Sequence, residues 1–293
     1  KSLLYGGIAG YGYPNGLVAP FYSSDLWQWD GSNWQNLNAL SQINPTPYGR
    51  NYQVMAFDSS RKQLMVFGGL TEYQNAYPPP TWIYSCYNDT SIWDGSVWRK
   101  ANPPTSPPPI QMAAMAYDAA RSEMVLFGGY KGADPAPGSD ISSDCSTGRV
   151  TGTWIWNGST WINKNPVHSP PWRAFAAMAF DASRGRIVLF GGLTSDVGPL
   201  SDTWEWDGND WIAMSPAQSP PARWAASMTY GAGRGQVILF GGSANSGSLP
   251  LNDTWAWDGS NWVRILTDTS PEPRMQTTSA YEAGNGRVVL YGG

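Results

Sequence analysis

Short apolar runs alternate with polar, glycine-rich punctuation along the whole chain. Runs of bulky apolar residues, such as Ile187–Phe190 (IVLF) and Val237–Phe240 (VILF), end in Gly-Gly. A run that is short and wholly apolar fits a strand buried on both faces. Before it lies a run of small apolar residues, such as Met112–Tyr117 or Ala174–Phe180, joined to it by a polar D-x-x-R step (Asp118–Arg121, Asp181–Arg184). After it comes W-x-W, whose two tryptophans share one strand face by the two-residue period. An Asp-Gly hairpin signal then leads to a segment that opens with another Trp. The pattern predicts four short antiparallel strands, repeated.

The repeat is visible in two markers. Gly-Gly pairs stand at Gly6, Gly68, Gly128, Gly191, Gly241 and Gly292, at intervals of 62, 60, 63, 50 and 51 residues. W-x-W-[DN]-G-x-x-W begins at Trp27, Trp154, Trp204 and Trp255, with a degenerate copy from Ser91 to Trp98. These five copies hold 14 of the 17 tryptophans, so the abundance of Trp is a repeat signature rather than an aromatic active site. Glycine and proline, 33 and 24 residues, exclude a helical bundle. Four-stranded meanders at this period are the sheets of a β-propeller. The innermost strand of such a blade has least room, which fits the Ala-rich first run.

The Gly-Gly-terminated run, the downstream Asp-Thr-Trp and the Trp of the fourth strand resemble kelch repeats. They are most similar to the kelch arrays of secreted bacterial proteins, which resemble the central propeller of galactose oxidase. The resemblance covers nearly the whole chain. It implies an all-β, kelch-type β-propeller of four-stranded antiparallel blades. Strand candidates number 21, five blades of four plus one. The expectation is one domain, 1–293, of five blades, with repeat units 8–69, 70–129, 130–192, 193–242 and 243–293 and with 1–7 a spare second strand closing the ring. Six or seven blades in a longer parent chain is the alternative.

The two ends of such blades are not equivalent. The 1–2 and 3–4 turns are short and nearly constant, whereas the 4–1 connections are Pro-rich and the 2–3 loops long and variable. Long loops on a rigid scaffold are where binding sits. At that face an Arg opens the first strand in four repeats (Arg50, Arg173, Arg223, Arg274), with Ile110 in the fifth. Read structurally, each Arg bonds neighbouring carbonyls. Read functionally, with Trp172 and Trp224 beside two of them, they form a cationic, aromatic rim for carboxylated sugars or acidic peptides. Asp25, Asp89, Asp202 and Asp253 precede the third strand as turn or clasp residues. Tyr73, Tyr77, Trp82, Tyr84 and Tyr87 crowd one loop, either as its own minicore or as a contact surface.

Catalytic signals are sparse. One histidine, His168, defeats most metal schemes and the copper site that the galactose oxidase resemblance would otherwise imply. No cofactor is expected. An oxygen-rich loop with Asp134, Asp140 and Asp144 is the only calcium candidate, and its spacing is not that of an EF-hand. A net charge of −4 without a basic run argues against nucleic acid, and no apolar stretch has the length of a membrane helix. An even pair, Cys86 and Cys145, in 2–3 loops of successive repeats predicts a disulfide. The expectation is an extracellular or cell-surface module that binds a glycan or protein without catalysis. A carbohydrate-active enzyme (lyase or sugar epimerase) at the same face is one alternative, and a structural subunit assembling through terminal strands is another.

Overall fold

The computed structural model describes residues 2–12, 19–38, 47–74, 81–133, 139, 141–145, 148–245 and 249–293, and among them it is all-β. The chain divides into two compact units. One comprises Lys1–Ala113, Gly129–Val150 and Trp156–Asn163, and the other Ala114–Gly128, Thr151–Ile155 and Lys164–Gly293.

The first unit holds a complete four-stranded antiparallel sheet, Val54–Asp58, Gln63–Phe67, Thr90–Trp93 and Trp98–Ala101, in chain order. Ser2–Tyr5 pairs with Leu26–Trp29, which pairs with Trp34–Asn36, so Ser2–Tyr5 takes the place of a second strand there. The second unit holds two complete sheets of the same order. One is Ala177–Asp181, Arg186–Phe190, Thr203–Trp206 and Trp211–Met214. The other is Ser227–Gly231, Gln236–Phe240, Thr254–Trp257 and Trp262–Ile265. First-and-second-strand hairpins Ala114–Asp118/Glu123–Phe127 and Thr278–Glu282/Arg287–Tyr291 belong to it as well. Within this unit the first strands of successive sheets lie side by side. These are four-stranded sheets arranged as propeller blades, with the small-residue strand on the inside.

The packing follows from the pattern. Second strands such as Arg186–Phe190 are buried along four consecutive residues, as a strand covered on both faces must be. Trp206 and Trp211 fill the space between sheets with Val125, Phe127 and Leu189. The Trp211 indole N–H donates to the Thr153 hydroxyl at 2.8 Å, and Trp262 bonds Thr203 likewise at 2.9 Å. The Thr that precedes W-x-W is therefore an anchor for the Trp of a neighbouring sheet. Gly191 shows why Gly-Gly ends the second strand. Its φ is +61°, and a Cβ there would stand 2.5 Å from the Arg223 carbonyl oxygen of the next sheet. The next residue, Gly192, donates its N–H to that same carbonyl at 2.9 Å.

The first strands start later than the apolar pattern predicts. Ala174–Phe180 yields a strand only from Ala177, and Met112–Tyr117 only from Ala114. The cause is a left-handed residue at one place in every repeat: Tyr52, Met112, Phe175, Ala225 and Gln276 have φ between 53° and 58°. Backbone bonds between sheets hold this step. Met112 N–H donates to Tyr52 O in the first unit; in the second, Ala225 N–H donates to Phe175 O and Gln276 N–H to Ala225 O.

Candidate functional site

The recurrent arginines are clasps. Arg223 is fully buried, and its guanidinium meets both Asp253 carboxylate oxygens at 2.6 and 2.8 Å. It also donates to the carbonyls of Pro221 and Gly241, both at 3.0 Å. Arg173 repeats the arrangement with Asp202, Pro171 and Gly191. Arg50 repeats it with Asp89, Tyr48 and Gly68. Each arginine thus joins the end of a Pro-rich loop, the Gly-Gly terminus and the residue before the third strand. Burial opposes ionisation of Asp202 and Asp253, but the arginine and Trp hydrogen bonds and the guanidinium charge outweigh it. Both carboxyls are held below the usual range.

This corrects the expectation of a cationic rim. Arg50, Arg173 and Arg223 have no exposed side-chain surface, and each guanidinium tolerates that burial because it is paired with a carboxylate. Trp172 and Trp224 are buried too; Trp224 packs at a tilt against Phe175 and donates to Asn245 O. Arg274 is half-buried, bonds the carbonyls of Glu272 and Gly292, and has no aspartate partner among the described residues. Tyr87 is buried with its ring 4.0 Å from the Arg50 guanidinium, a cover for the clasp rather than a contact residue.

The long, variable 2–3 loops of the first unit are organised as hairpins. Ile8–Gly12 pairs with Ala19–Tyr22. Leu70–Gln74 pairs with Trp82–Tyr87, whose far end pairs with Ile141–Ser142. The Glu72 N–H donates to the Tyr22 hydroxyl at 3.0 Å and joins the two hairpins. Burial raises the Tyr22 phenol and the Glu72 carboxyl above their ordinary values. The hairpins leave rings in solvent: Tyr11 and Phe21 are each 59% exposed, Tyr73 51%, Trp82 39% and Tyr84 38%. In the register, Trp82 and Tyr84 share a face with Gln74 and Glu72, while Tyr73 lies opposite beside Ile83. So the loop is no closed minicore. Tyr77 lies outside the described residues, as do Asp134 and Asp140 of the calcium candidate.

Cys86 and Cys145 are free thiols, which corrects the expected disulfide. They do meet, in a cluster with Leu70. Cys86 bonds the carbonyls of Ser142 and Asp144, both at 3.4 Å. The Cys86 side chain beside it, together with burial, raises the Cys145 thiol. The tether between these loops is backbone pairing instead, Ser142 opposite Cys86, with Gln111 donating to Cys145 O at 2.8 Å. His168 is exposed and paired at 2.7 Å with Asp210.

Neither a family model nor a curated protein sequence matches the chain. Among solved structures, one titled "Structure of YjhT" matches 99% of this chain and 89% of its own, with a TM-score of 0.61 and 16% identity. At that identity the likeness speaks to the fold alone, a propeller-type all-β fold. No described helix is long and apolar enough to cross a membrane.

Proposed function

We propose that the chain is a kelch-type binding module, displayed outside the cell, whose first unit recognises a neutral glycan through its aromatic hairpins. The observation that carries this is the exposure of Tyr11, Phe21, Tyr73, Trp82 and Tyr84 on hydrogen-bonded hairpins. Large rings held in solvent by ordered backbone are a feature of contact surfaces, since nothing in the fold needs them there. Stacking rings present apolar faces with a polar rim, which suits sugar faces. The described strands of these hairpins carry a single charged residue, Glu72, and no Lys or Arg to pair an anionic ligand. A ligand for this surface is therefore uncharged, and its binding is insensitive to salt.

The test is a glycan array of neutral and acidic sugars, probed with the wild type and with a Trp82→Ala/Tyr84→Ala double variant. The expected result is retention on neutral glycans at both low and high salt, abolished in the variant. Retention unchanged by the double substitution would overturn the reading, as would turnover of a bound sugar or binding to protein partners only.

A further inference from the structure

One acid stands among the exposed rings of the first unit. Glu72 lies in Leu70–Gln74, directly opposite Tyr84, and Gln74 lies opposite Trp82. The two-residue period sets Glu72, Gln74, Trp82 and Tyr84 on one face, with directly opposed Cβ atoms about 4.5–5.5 Å apart. The other edge of Leu70–Gln74 meets the neighbouring hairpin, where the Glu72 N–H donates to the Tyr22 hydroxyl at 3.0 Å. Strand pairing on one side and this bond on the other fix where the Glu72 side chain begins.

Buried acids elsewhere are answered: Asp58 by Arg61 and Asp118 by Arg121, each at 2.7 Å, and Glu205 by the Trp257 indole N–H at 2.8 Å. Glu72 is half-buried, and among the described residues no hydrogen bond or ion pair reaches its carboxyl. Burial raises that carboxyl, with no charge to oppose it. The groups that face it are Tyr84 and Cys86 from the paired strand and Tyr22 from the neighbouring hairpin, with Tyr11 and Tyr52 close to Tyr22. Tyr73 and Tyr87 belong to the opposite face, where the Arg50 guanidinium lies over the Tyr87 ring. An acceptor without a donor thus stands beside a ring open to solvent.

We propose that Glu72 is the polar anchor of this surface: its carboxylate accepts two adjacent free hydroxyls of a neutral sugar whose apolar face lies on Tyr84. The inference rests on the glycan reading above and adds to it the group that the sugar must present. An ionised carboxylate offers two acceptor oxygens and no donor, so it calls for hydroxyl hydrogens. Bonds to a charged acceptor are roughly twice as strong as neutral ones, and a site built to bind a hydroxyl rejects an analogue in which it is capped. The ionised form is the one that binds. Affinity is therefore full above the raised folded value of Glu72 and is lost as pH falls through it.

The experiment is calorimetric titration, from about pH 7 to about pH 4, with hexasaccharides of glucose, mannose and galactose, their per-O-methylated forms, and the hexamer of glucosamine. Wild type, Glu72→Gln and Trp82→Ala/Tyr84→Ala are compared. The wild type should bind a free-hydroxyl sugar and lose at least about tenfold in affinity across that range. Glu72→Gln should bind about tenfold more weakly at neutral pH, with no pH dependence and an unchanged melting temperature; a dependence due to Cys86 would persist in it. The methylated sugars should bind weakly, and equally in both proteins. Binding that is lost in the double variant but unchanged in Glu72→Gln overturns the anchor and leaves the aromatic surface standing, as does equal affinity for free and methylated sugars. A preference for the glucosamine hexamer that fades with salt makes the ligand a cation and overturns the proposal. Absence of binding in the wild type, or binding indifferent to the double variant, overturns the glycan reading and the anchor together.

Discussion

Arg223 satisfies a carboxylate and two carbonyls with one side chain, at full burial. Removing it strands Asp253 with little access to water, so Arg223→Ala is expected to cost about 3–5 kcal/mol in urea unfolding. The pair also sets an acid limit. The folded Asp253 carboxyl is depressed, so its contribution is complete above the unfolded value near ~3.9 and fades as pH falls through the lower folded value. Stability measured against pH should fall more steeply below that point in the wild type than in Asp253→Asn. The recurring Arg and Asp were legible in the sequence, but their pairing was not. Separations of 39, 29 and 30 residues follow the variable loops and conceal a constant contact. One clue was present: the repeat with Ile110 in place of Arg also has Gly152, not Asp, before its third strand.

Among elements, strand identity followed from residue size. Runs of Val, Ile and Leu became doubly buried second strands, and Trp positions became the filling between sheets. Trp211→Ala is expected to cost about 3–5 kcal/mol, read from the denaturant midpoint, since it empties a site beside Phe127 and frees the Thr153 hydroxyl. Gly191→Ala is expected to destabilise by about 1–3 kcal/mol, because its Cβ meets a backbone oxygen that cannot swing aside. The late start of the first strands was not legible. Nothing in Phe175 or Met112 signals a positive φ, and bonds from a neighbouring sheet impose it. The loop hairpins were not legible either: Trp82–Tyr87 is aromatic on both faces, so it lacks the polar alternation that marks a half-buried strand.

For the molecule as a whole, the proposed function assigns stability and recognition to different residues. Clasps and buried tryptophans are repeated; the exposed rings Tyr11, Phe21, Tyr73, Trp82 and Tyr84 stand on the long hairpins of the first unit, in loops that differ from repeat to repeat. Trp82→Ala should therefore change unfolding free energy by no more than about 0.5 kcal/mol while removing glycan retention. A stability loss of several kcal/mol would place Trp82 in the core. The candidate surface was half legible. Tyr73, Trp82 and Tyr84 stand out in the sequence and are exposed, whereas Arg50, Arg173, Arg223, Trp172 and Trp224 are equally conspicuous and buried. Residue type alone does not separate the two groups, because Arg and Trp serve a packed interface and an open one equally well.

The left-handed step at the head of each first strand has a consequence for proton exchange with solvent. The amides of Ala225 and Gln276 lie outside the strands, where amides ordinarily exchange through local fraying. Each is bonded to a carbonyl of another sheet, so neither opens unless two sheets part. In heavy water these two amides should persist as long as those of the doubly buried second strands. Their exchange free energy then reports the separation of neighbouring sheets, and not the melting of either one.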